Sequence, residues 1–308
     1  RRQAMTDRTT PQTTPSIGRF APSPTGPLHL GSLVAAVASY CASNEWLVRI
    51  EDVDEPRNMA GATESILATL DRMGFVWSKP EMRQRNRLPA YREALEFLKT
   101  KGLVYPCGCT RAEITDACLP AAGSGERPYP GTCRRGLPPG RQARTCRMRV
   151  GDTEVAFDDL IQGCVRQNLG RETGDFVLLR ADGIFAYQLA VVVDDAAQGV
   201  NQVVRGADLL ASTPRQIWLQ RALGLPTPVY AHHPVALGSD GSKLSKQNLA
   251  QPVDEMAPEE AMRQALSFLG HRPPSGLDCA AQLAWARANW DFGRVLPVPS
   301  LPLSHGDL

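Results

Sequence analysis

Residues 18–32 of the chain read GRFAPSPTGPLHLGS. With Ile17 before them, they predict a short apolar strand over 17–21, a turn rich in Pro and Gly, and an apolar helix over 30–42. The polar content of the stretch is one Arg, a few hydroxyls and one His. A turn that joins a strand to a helix N-terminus presents backbone N–H groups and favours an anion. The stretch therefore predicts an anion site at the edge of a sheet.

The segments on either side extend this pattern into an alternation of strands and helices. An apolar strand over 46–50 ends in the carboxylates of Glu51, Asp52 and Asp54, and helices are predicted around 66–73 and 89–101. Further regular segments follow at 176–180, 187–194 and 202–205, and Thr213 is predicted as the N-cap of a helix whose first residue is Pro214. Strand–helix alternation indicates an α/β fold with a parallel, helix-covered sheet.

Changes in composition divide the chain into four predicted regions. Residues 1–16 are polar and are predicted to be disordered, 17–104 and 175–250 form the α/β domain, 105–174 form an inserted module rich in Cys, Pro, Gly and Arg, and 251–308 form a short helical region.

Composition limits the classes of protein that the chain can belong to. Hydrophobic residues make up 43% of the 308 positions, which is enough for a sizeable core, and the net charge is only +2. No apolar run approaches the roughly 18 residues that a membrane helix needs, and the polar N-terminal segment lacks the apolar stretch of a secretory signal. The sequence therefore predicts a cytoplasmic protein without a membrane partner.

The cysteines indicate a metal site in the inserted module. Cys107, Cys109 and Cys133 supply three thiolates for a tetrahedral zinc site, in which the metal would be structural because no coordination position stays open. Tyr129, Cys118 and Cys146 are alternatives for the fourth ligand, and general chemistry favours a thiolate. The isolated cysteines, by contrast, are expected to be inert buried thiols. They are Cys41, Cys164 and Cys279.

A run of positive charge lies in the same module. Seven Arg and no acidic residue occur between Arg127 and Arg149. A local charge of +7 is either a phosphate-binding surface or a solvated loop.

A second loop, 241–247, reads GSKLSKQ. Lys243 and Lys246 in this loop can neutralise a triphosphate and stabilise charge on a leaving pyrophosphate. His29 begins the helix of the first stretch, and Gly31 allows a ligand close to the backbone. The two stretches together predict a divided nucleotide site.

These motifs carry a resemblance to the class I aminoacyl-tRNA synthetases, and to their glutamyl branch in particular. The first stretch resembles the HIGH region of that family, and KLSKQ at 243–247 resembles its KMSKS loop. Further matches in order are RIED at 49–52, YQLA at 187–190, VDD at 193–195, RGAD at 205–208 and TPRQ at 213–216. The chain departs from the family pattern at Ser32, Leu244, Gln247 and Val191.

The resemblance implies a Rossmann-like catalytic domain with an inserted zinc-binding module, and it implies roles for individual residues. The catalytic residues would be His29, Lys243 and Lys246. ATP would be bound by His29, Gly31, Ser32 and Lys246, with Mg²⁺ on its phosphates. L-Glutamate would be bound by Arg19, Phe20, Ala21, Pro22, Ser23, Glu51, Tyr187 and Arg205, and Asp208 would contact ATP or cap a turn. The resemblance also favours Tyr129 over Cys118 as the fourth zinc ligand. The implied zinc ligands are therefore Cys107, Cys109, Tyr129 and Cys133.

Only 61 residues follow Gln247, too few for the large helical anticodon-binding region of a glutamyl-tRNA synthetase. The resemblance is therefore to a truncated paralogue that activates glutamate with ATP and transfers it to the queuosine base of tRNA(Asp). The implied protein is a ligase and a monomer, and its Arg-rich module would meet tRNA phosphates. The alternative is a synthetase that charges the tRNA 3′ end with help from a separate anticodon-binding chain. A third interpretation is that the chain is an RNA-binding module without catalytic activity.

Overall fold

The computed structural model describes residues 14–117, 128–238, 241–244 and 251–303. For residues 115–117 only the backbone is described. The strands, in chain order, are β1 (Ile17–Phe20), β2 (Glu45–Ile50), β3 (Met82–Arg83), β4 (Val104–Cys107), β5 (Thr145–Met148), β6 (Glu154–Asp159), β7 (Gly163–Asn168), β8 (Val177–Leu179), β9 (Gln202–Gly206), β10 (Val229–His233), β11 (Val235–Leu237) and β12 (Ser300–Pro302). The helices are α1 (Leu30–Cys41), α2 (Ala62–Arg72), α3 (Leu88–Thr100), α4 (Arg111–Ala117), α5 (Leu169–Glu172), α6 (Tyr187–Ala197), α7 (Thr213–Leu223), α8 (Pro258–Phe268) and α9 (Cys279–Ala288). The N-terminal segment predicted to be disordered lies almost wholly outside the described residues.

A parallel layer of strands forms the centre of the molecule. Strand β2 pairs with β1 and β3, and β10 pairs with β9 and β6, all in parallel. The two groups meet where the Asn201 amide, just before β9, donates to the Ile17 carbonyl (3.1 Å). Buried apolar clusters cover both faces, one centred on α1, α8 and α9 and the other on α3, α6 and α7. The predicted helix-covered α/β sheet is confirmed.

The start of β1 lies very close to the end of α1. A Cβ atom at Gly18 would lie 1.9 Å from the Ser43 hydroxyl oxygen, so any other residue there requires Ser43 to move. The absence of a side chain at Gly18 therefore allows this close packing of β1 against the end of α1.

The segment predicted as one inserted module has two parts. Strands β4, β5 and β8 form a small antiparallel sheet beside the cysteine-rich turns. The β6–β7 hairpin instead extends the central sheet, because Tyr230 of β10 pairs with Asp159 at the end of β6. Residues 154–168 are therefore part of the layer that carries the site described below.

The N-terminus of α7 differs from the prediction. A 3-10 turn over Ala207–Ser212 runs directly into the helix, so Thr213 is the first helical residue and Pro214 follows it. The expectation that Thr213 caps the helix is wrong. Its hydroxyl accepts a hydrogen bond from Arg205 instead (2.8 Å). Among the described helices, none is long and apolar enough to cross a membrane.

Candidate active site and metal centre

A cavity of about 720 Å³ opens at the carboxyl edge of β1, β2 and β9. Every described residue that the sequence predicted for the ATP and glutamate sites lines it: Arg19, Phe20, Ala21, Pro22, Ser23, His29, Gly31, Ser32, Glu51, Tyr187, Arg205 and Lys243. Asp208 lines it as well. Lys246 and Gln247 lie outside the described residues.

The Pro-rich turn after β1 is held in place by long-range backbone contacts. The Glu51 amide donates to the Pro22 carbonyl (2.9 Å) and the Met59 amide to the Pro24 carbonyl (2.9 Å). The Val253 amide of the helical C-terminal region donates to the Leu28 carbonyl (2.8 Å). Three separate parts of the chain therefore shape this turn.

A buried group of charges forms one wall of the cavity. Asp195 Oδ1 accepts from Arg19 Nε (3.0 Å) and lies 2.7 Å from Arg49 Nη2. Arg49 is fully buried and lies 3.6 Å from Glu51 Oε1. Asp195 thus orients the Arg19 guanidinium and also compensates the charge of Arg49. The sequence had assigned no role to Asp195 or Arg49, although an Arg interrupting an apolar strand was a signal for such a contact.

Glu51 is the second acidic group of this wall, beside Asp195. Within the described residues its Oε1 atom is buried without a hydrogen-bond partner. Burial raises the pKa of Glu51 to about 6, against the opposing effect of Arg49 and Arg19. Glu51 lines the cavity, and a buried carboxylate there is suited to an incoming cation.

Arg205 also lines the cavity and is anchored by several partners. Its Nη1 donates to the Tyr187 hydroxyl (3.3 Å), and its Nη2 donates to Thr213 Oγ1 and Gln216 Oε1 (both 2.8 Å). Its Nε donates to His232 Nε2 (3.0 Å). An anchored guanidinium presents a rigid fork that suits a carboxylate.

The third part of the cavity is built around the N-terminus of α1. His29 is the N-cap, and its Nδ1 accepts from the Ser32 amide (3.3 Å). A Cβ atom at Gly31 would lie 3.1 Å from the His29 ring and 3.4 Å from the Leu244 carbonyl, so the two predicted nucleotide loops meet here. Lys243 Nζ lies 2.6 Å from Asp208 Oδ2 at the rim.

The predicted zinc ligands come together in the small antiparallel sheet and its turns. The sulfur atoms of Cys107, Cys109 and Cys133 lie within 4.8 Å of one another. The Tyr129 hydroxyl oxygen lies 3.3 Å and 3.5 Å from the sulfurs of Cys107 and Cys109. Although burial opposes it, hydrogen bonding from Tyr129 and Arg147 helps to lower the pKa of Cys107 to about 7. Three sulfurs and one phenol oxygen in one cluster fit a four-coordinate metal.

The other cysteines lie elsewhere. Cys146 pairs with Pro106 in the β4–β5 ladder, so its side chain lies on the opposite face from Cys107, in the core with α3. Cys118 lies outside the described residues. Cys41 and Cys279 are buried as expected, but the prediction of a buried thiol is wrong for Cys164, which is exposed on the edge strand β7.

A second cavity, of about 760 Å³, adjoins the first and is lined by arginines. They are Arg57, Arg111, Arg144, Arg147 and Arg180. We call this cavity the arginine cleft. It shares Asp54, Arg57 and Arg180 with the active-site cavity and reaches Cys109 of the metal cluster. Arg57, Arg111 and Arg180 lie outside the Arg-rich run between Arg127 and Arg149.

Several arginines of the run itself have internal partners. Arg134 Nε lies 2.7 Å from Asp175 and Arg141 Nη2 lies 2.7 Å from Glu113. Arg147 lies over the Tyr129 ring and Arg149 over the Tyr105 ring. Much of the predicted +7 patch therefore stabilises the cysteine-rich turns and the antiparallel sheet beside them rather than forming an open phosphate-binding surface.

Comparison with known proteins places this site in a family. The model of the catalytic domain of class I tRNA synthetases (E and Q) matches residues 17–284. The chain is 58% identical over 298 residues to the glutamyl-Q tRNA(Asp) synthetase of Dechloromonas aromatica, covering 94% of this chain and 98% of that protein. It is 54% identical over 306 residues to the glutamyl-Q tRNA(Asp) synthetase of Geobacter sulfurreducens, covering 95% of this chain and 97% of that protein.

Among solved structures, the fold is similar to the glutamate–tRNA synthetase of Elizabethkingia anophelis. The TM-score is 0.77 at 22% sequence identity, covering 95% of this chain and 68% of that one. The chain belongs to the class I tRNA synthetases of the glutamyl and glutaminyl type, within the group of the glutamyl-Q tRNA(Asp) synthetases.

Proposed function

We propose that the protein activates L-glutamate with ATP and transfers the glutamyl group to the queuosine base of tRNA(Asp). One observation carries the proposal. Arg19, Arg205 and the buried carboxylate of Glu51 line one cavity, and they complement the two carboxylates and the ammonium of glutamate. The names of the relatives with which it shares more than half of its residues supply the acceptor.

The roles of the glutamate-binding residues follow from their chemistry. Arg19 and Arg205 bind the carboxylates, and Glu51 binds the α-ammonium. The hydroxyls of Ser23 and Tyr187 add hydrogen bonds, and the turn over 20–22 lines the pocket. His29, Gly31, Ser32 and Lys246 bind ATP, and Lys243 and Lys246 stabilise charge on the leaving pyrophosphate, with Mg²⁺ held on the ATP phosphates.

The reaction has two steps. An α-carboxylate oxygen of glutamate attacks the α-phosphorus of ATP, the bond from that phosphorus to pyrophosphate breaks, and glutamyl-adenylate forms. A hydroxyl of the queuosine base then attacks the glutamyl carbonyl, an ester bond forms, and AMP leaves while the hydroxyl proton passes to a base or water. The protein contributes alignment of the reactants and stabilisation of charge.

The arginine cleft supports the proposed RNA partner. It opens beside the active-site cavity and is lined by Arg57, Arg111 and Arg144 among others. Guanidinium groups bind phosphate well, and such contacts position RNA without reading its sequence.

Zinc, held by Cys107, Cys109, Tyr129 and Cys133, would supply a structural cross-link beside this cleft. As the resemblance implies, we expect a monomer, and thiolate ligands fit the reducing cytoplasm.

The test is transfer of labelled glutamate to tRNA(Asp) in three forms: with queuosine, without it, and with queuosine but lacking the 3′-terminal adenosine. We expect labelling of the first and third forms only. Labelling that requires the 3′ adenosine and ignores queuosine would instead identify a synthetase that charges the tRNA end. Glutamate-dependent ATP–pyrophosphate exchange is the parallel test of activation, and its absence would contradict both enzyme functions.

A further inference from the structure

Three buried side chains form a line behind the active-site cavity. Asp159 ends β6, His232 lies on β10, and Arg205 lies beside it on β9, where the two residues are register partners. The distance from His232 Nδ1 to Asp159 Oδ2 is 2.5 Å, and that from Arg205 Nε to His232 Nε2 is 3.0 Å. His232 is fully buried, and the other two are about 5% exposed or less. The cavity is lined by Arg205 but not by Asp159 or His232.

The hydrogen bonds determine where the histidine proton lies. A guanidinium only donates, so Nε2 of His232 must carry a lone pair toward Arg205. The Nδ1 atom must then carry the proton and donate it to the Asp159 carboxylate. Burial, together with Arg205, lowers the pKa of His232 to about 4, against the effect of Asp159. The neutral Nδ1–H tautomer is therefore the form that satisfies both neighbours.

Asp159 is itself rigidly held. Its Oδ1 accepts from the amides of Ile161 and Gln162 in the β6–β7 turn (3.0 and 2.9 Å), and from the His232 amide (3.0 Å). This leaves Oδ2 for the imidazole. The turn, the histidine and the arginine thus form one continuous chain of hydrogen bonds.

The chain of hydrogen bonds determines which edge of Arg205 faces the cavity. Its Nε is bonded to His232 and its Nη2 to Thr213 and Gln216, all on the protein side. The Nη1 edge lies beside the Tyr187 hydroxyl, and both Arg205 and Tyr187 line the cavity. A carboxylate that enters the cavity meets this edge.

We propose that Asp159 and His232 are positioning residues that hold Arg205 in the orientation that binds a carboxylate of the amino-acid substrate. The inference rests on the proposed glutamate site and adds two residues that do not touch the substrate. Asp159 fixes the tautomer of His232, and His232 fixes the rotation of the guanidinium.

The sharpest variant is Asp159→Asn, which keeps the shape and the Oδ1 contacts of the side chain. Its amide would donate to Nδ1, which forces the proton to Nε2, where it faces Arg205, a second donor. A buried Asp-to-Asn change beside a histidine is known to trap the wrong tautomer in this way. We expect the glutamate KM in ATP–pyrophosphate exchange to rise about ten- to a hundredfold, the range for loss of a hydrogen bond to a charged group, while the ATP KM stays unchanged.

Two further variants separate positioning from simple loss of structure. His232→Leu removes the hydrogen bonds to Asp159 and Arg205, together with the 3.1 Å contact between Nε2 and Thr213 Oγ1, and should raise the glutamate KM in the same way. His232→Gln can offer an oxygen to Arg205 and an N–H to Asp159, so it should restore most of the affinity. His271→Gln is the matched control, because His271 is a buried histidine of the C-terminal helical region, with its Nδ1 2.8 Å from the Leu269 carbonyl oxygen. Its glutamate KM should equal that of the wild type.

A readout independent of activity distinguishes failure of this proposal from failure of the proposed function on which it rests. In ¹⁵N-histidine NMR, His232 should be protonated at Nδ1 in the wild type and at Nε2 in Asp159→Asn. An unchanged tautomer, or an unchanged glutamate KM in Asp159→Asn, would overturn the proposal. If the wild type shows no glutamate-dependent exchange, the proposed substrate is wrong, and the inference that these residues position Arg205 for it falls with it, whatever the tautomer.

Discussion

At the scale of single residues, the charges on one wall of the cavity balance one another. Arg19 and Arg49 share Asp195, and Arg49 also lies near Glu51, so two cations face two anions in a dry environment. Removing one member of such a group leaves an uncompensated buried charge, which is more costly than the original group. The site is therefore arranged before any substrate enters.

Replacement of Arg49 tests this balance. We expect Arg49→Leu to lower the free energy of unfolding by about 3–5 kcal/mol, because Asp195 and Glu51 lose their buried counter-charge. Urea denaturation measures the change. Arg171→Leu is the matched control, since Arg171 pairs with Asp152 at 3.5 Å on the surface, where ion pairs contribute little. Equal losses in the two variants would contradict the expectation.

Glu51 predicts a pH dependence of glutamate binding. Its pKa is raised to about 6 by burial, and only the carboxylate form attracts an ammonium. As the pH falls below about 6, the free site takes up a proton that glutamate must displace, so the glutamate KM should rise roughly tenfold per pH unit. Above that pH the KM should be flat. Exchange assays between pH 5 and pH 8 measure this profile.

The Glu51→Gln variant should raise the glutamate KM throughout and abolish the inflection. Glu45→Gln is the control, because Glu45 lies at the other end of β2 and pairs with Lys79 near the surface. It should keep the wild-type profile. An inflection near pH 6 that persists in Glu51→Gln would show that another group titrates.

At the scale of elements, the metal cluster joins the end of β4 to a turn more than twenty residues later. Cys107 and Cys109 follow one another around the end of the strand, and Tyr129 and Cys133 lie on the returning turn. The Tyr129 ring lies under the Arg147 guanidinium, 4.0 Å away. The phenol thus contacts the cysteines on one side and the arginine cleft on the other.

Tyr129→Phe tests the fourth ligand. The variant keeps the ring against Arg147 and removes only the hydroxyl, so the fold should persist. We expect zinc affinity to fall by at least about tenfold, the lower range for loss of an outer-shell partner. Competition with a chelator measures it. Cys146→Ser, on the opposite face of the same sheet, should keep one zinc per chain with wild-type affinity, and the reverse result in the two variants would refute the assignment.

At the scale of the whole molecule, the two cavities form one path from the cysteine cluster to the proposed substrate site. Asp54 lies at their junction and pairs with Arg180 (2.6 Å). The active-site cavity is built from the central sheet, and the arginine cleft lies between it and the antiparallel sheet of β4, β5 and β8. RNA bound in the cleft would thus have an acceptor base close to the activated glutamate.

Salt dependence tests the arginine cleft. We expect Arg144→Ala to weaken tRNA binding and to reduce the slope of log Kd against log salt by about one, as for loss of one phosphate contact. Arg166→Ala is the control, since Arg166 is equally exposed but lies on β7, away from the cleft. Filter binding at several salt concentrations measures both, and equal slopes for Arg144→Ala and the wild type would exclude Arg144 as a phosphate contact.

Local pattern predicted β1, β2, α1 and α3 of the α/β domain to within a few residues, because strand and helix periodicity is a property of neighbouring positions. It failed at Thr213, where a preceding 3-10 turn replaced the cap, and it did not predict the β6–β7 hairpin or its place in the central sheet. The hairpin pairs with β10, some seventy residues later, and short edge strands carry no local sign of their partner.

By itself, the sequence determined the α/β class, the two nucleotide loops and the cysteine cluster, because each is encoded by residue types in a local pattern. The residues that line the cavity were implied by its resemblance to a family. Only the tertiary structure decided which groups hold them: Asp195 behind Arg19, the Asp159–His232 pair behind Arg205, and the arginines of the cleft. The physical reason is that buried charges must be compensated, and their partners come from strands and helices far apart in the chain.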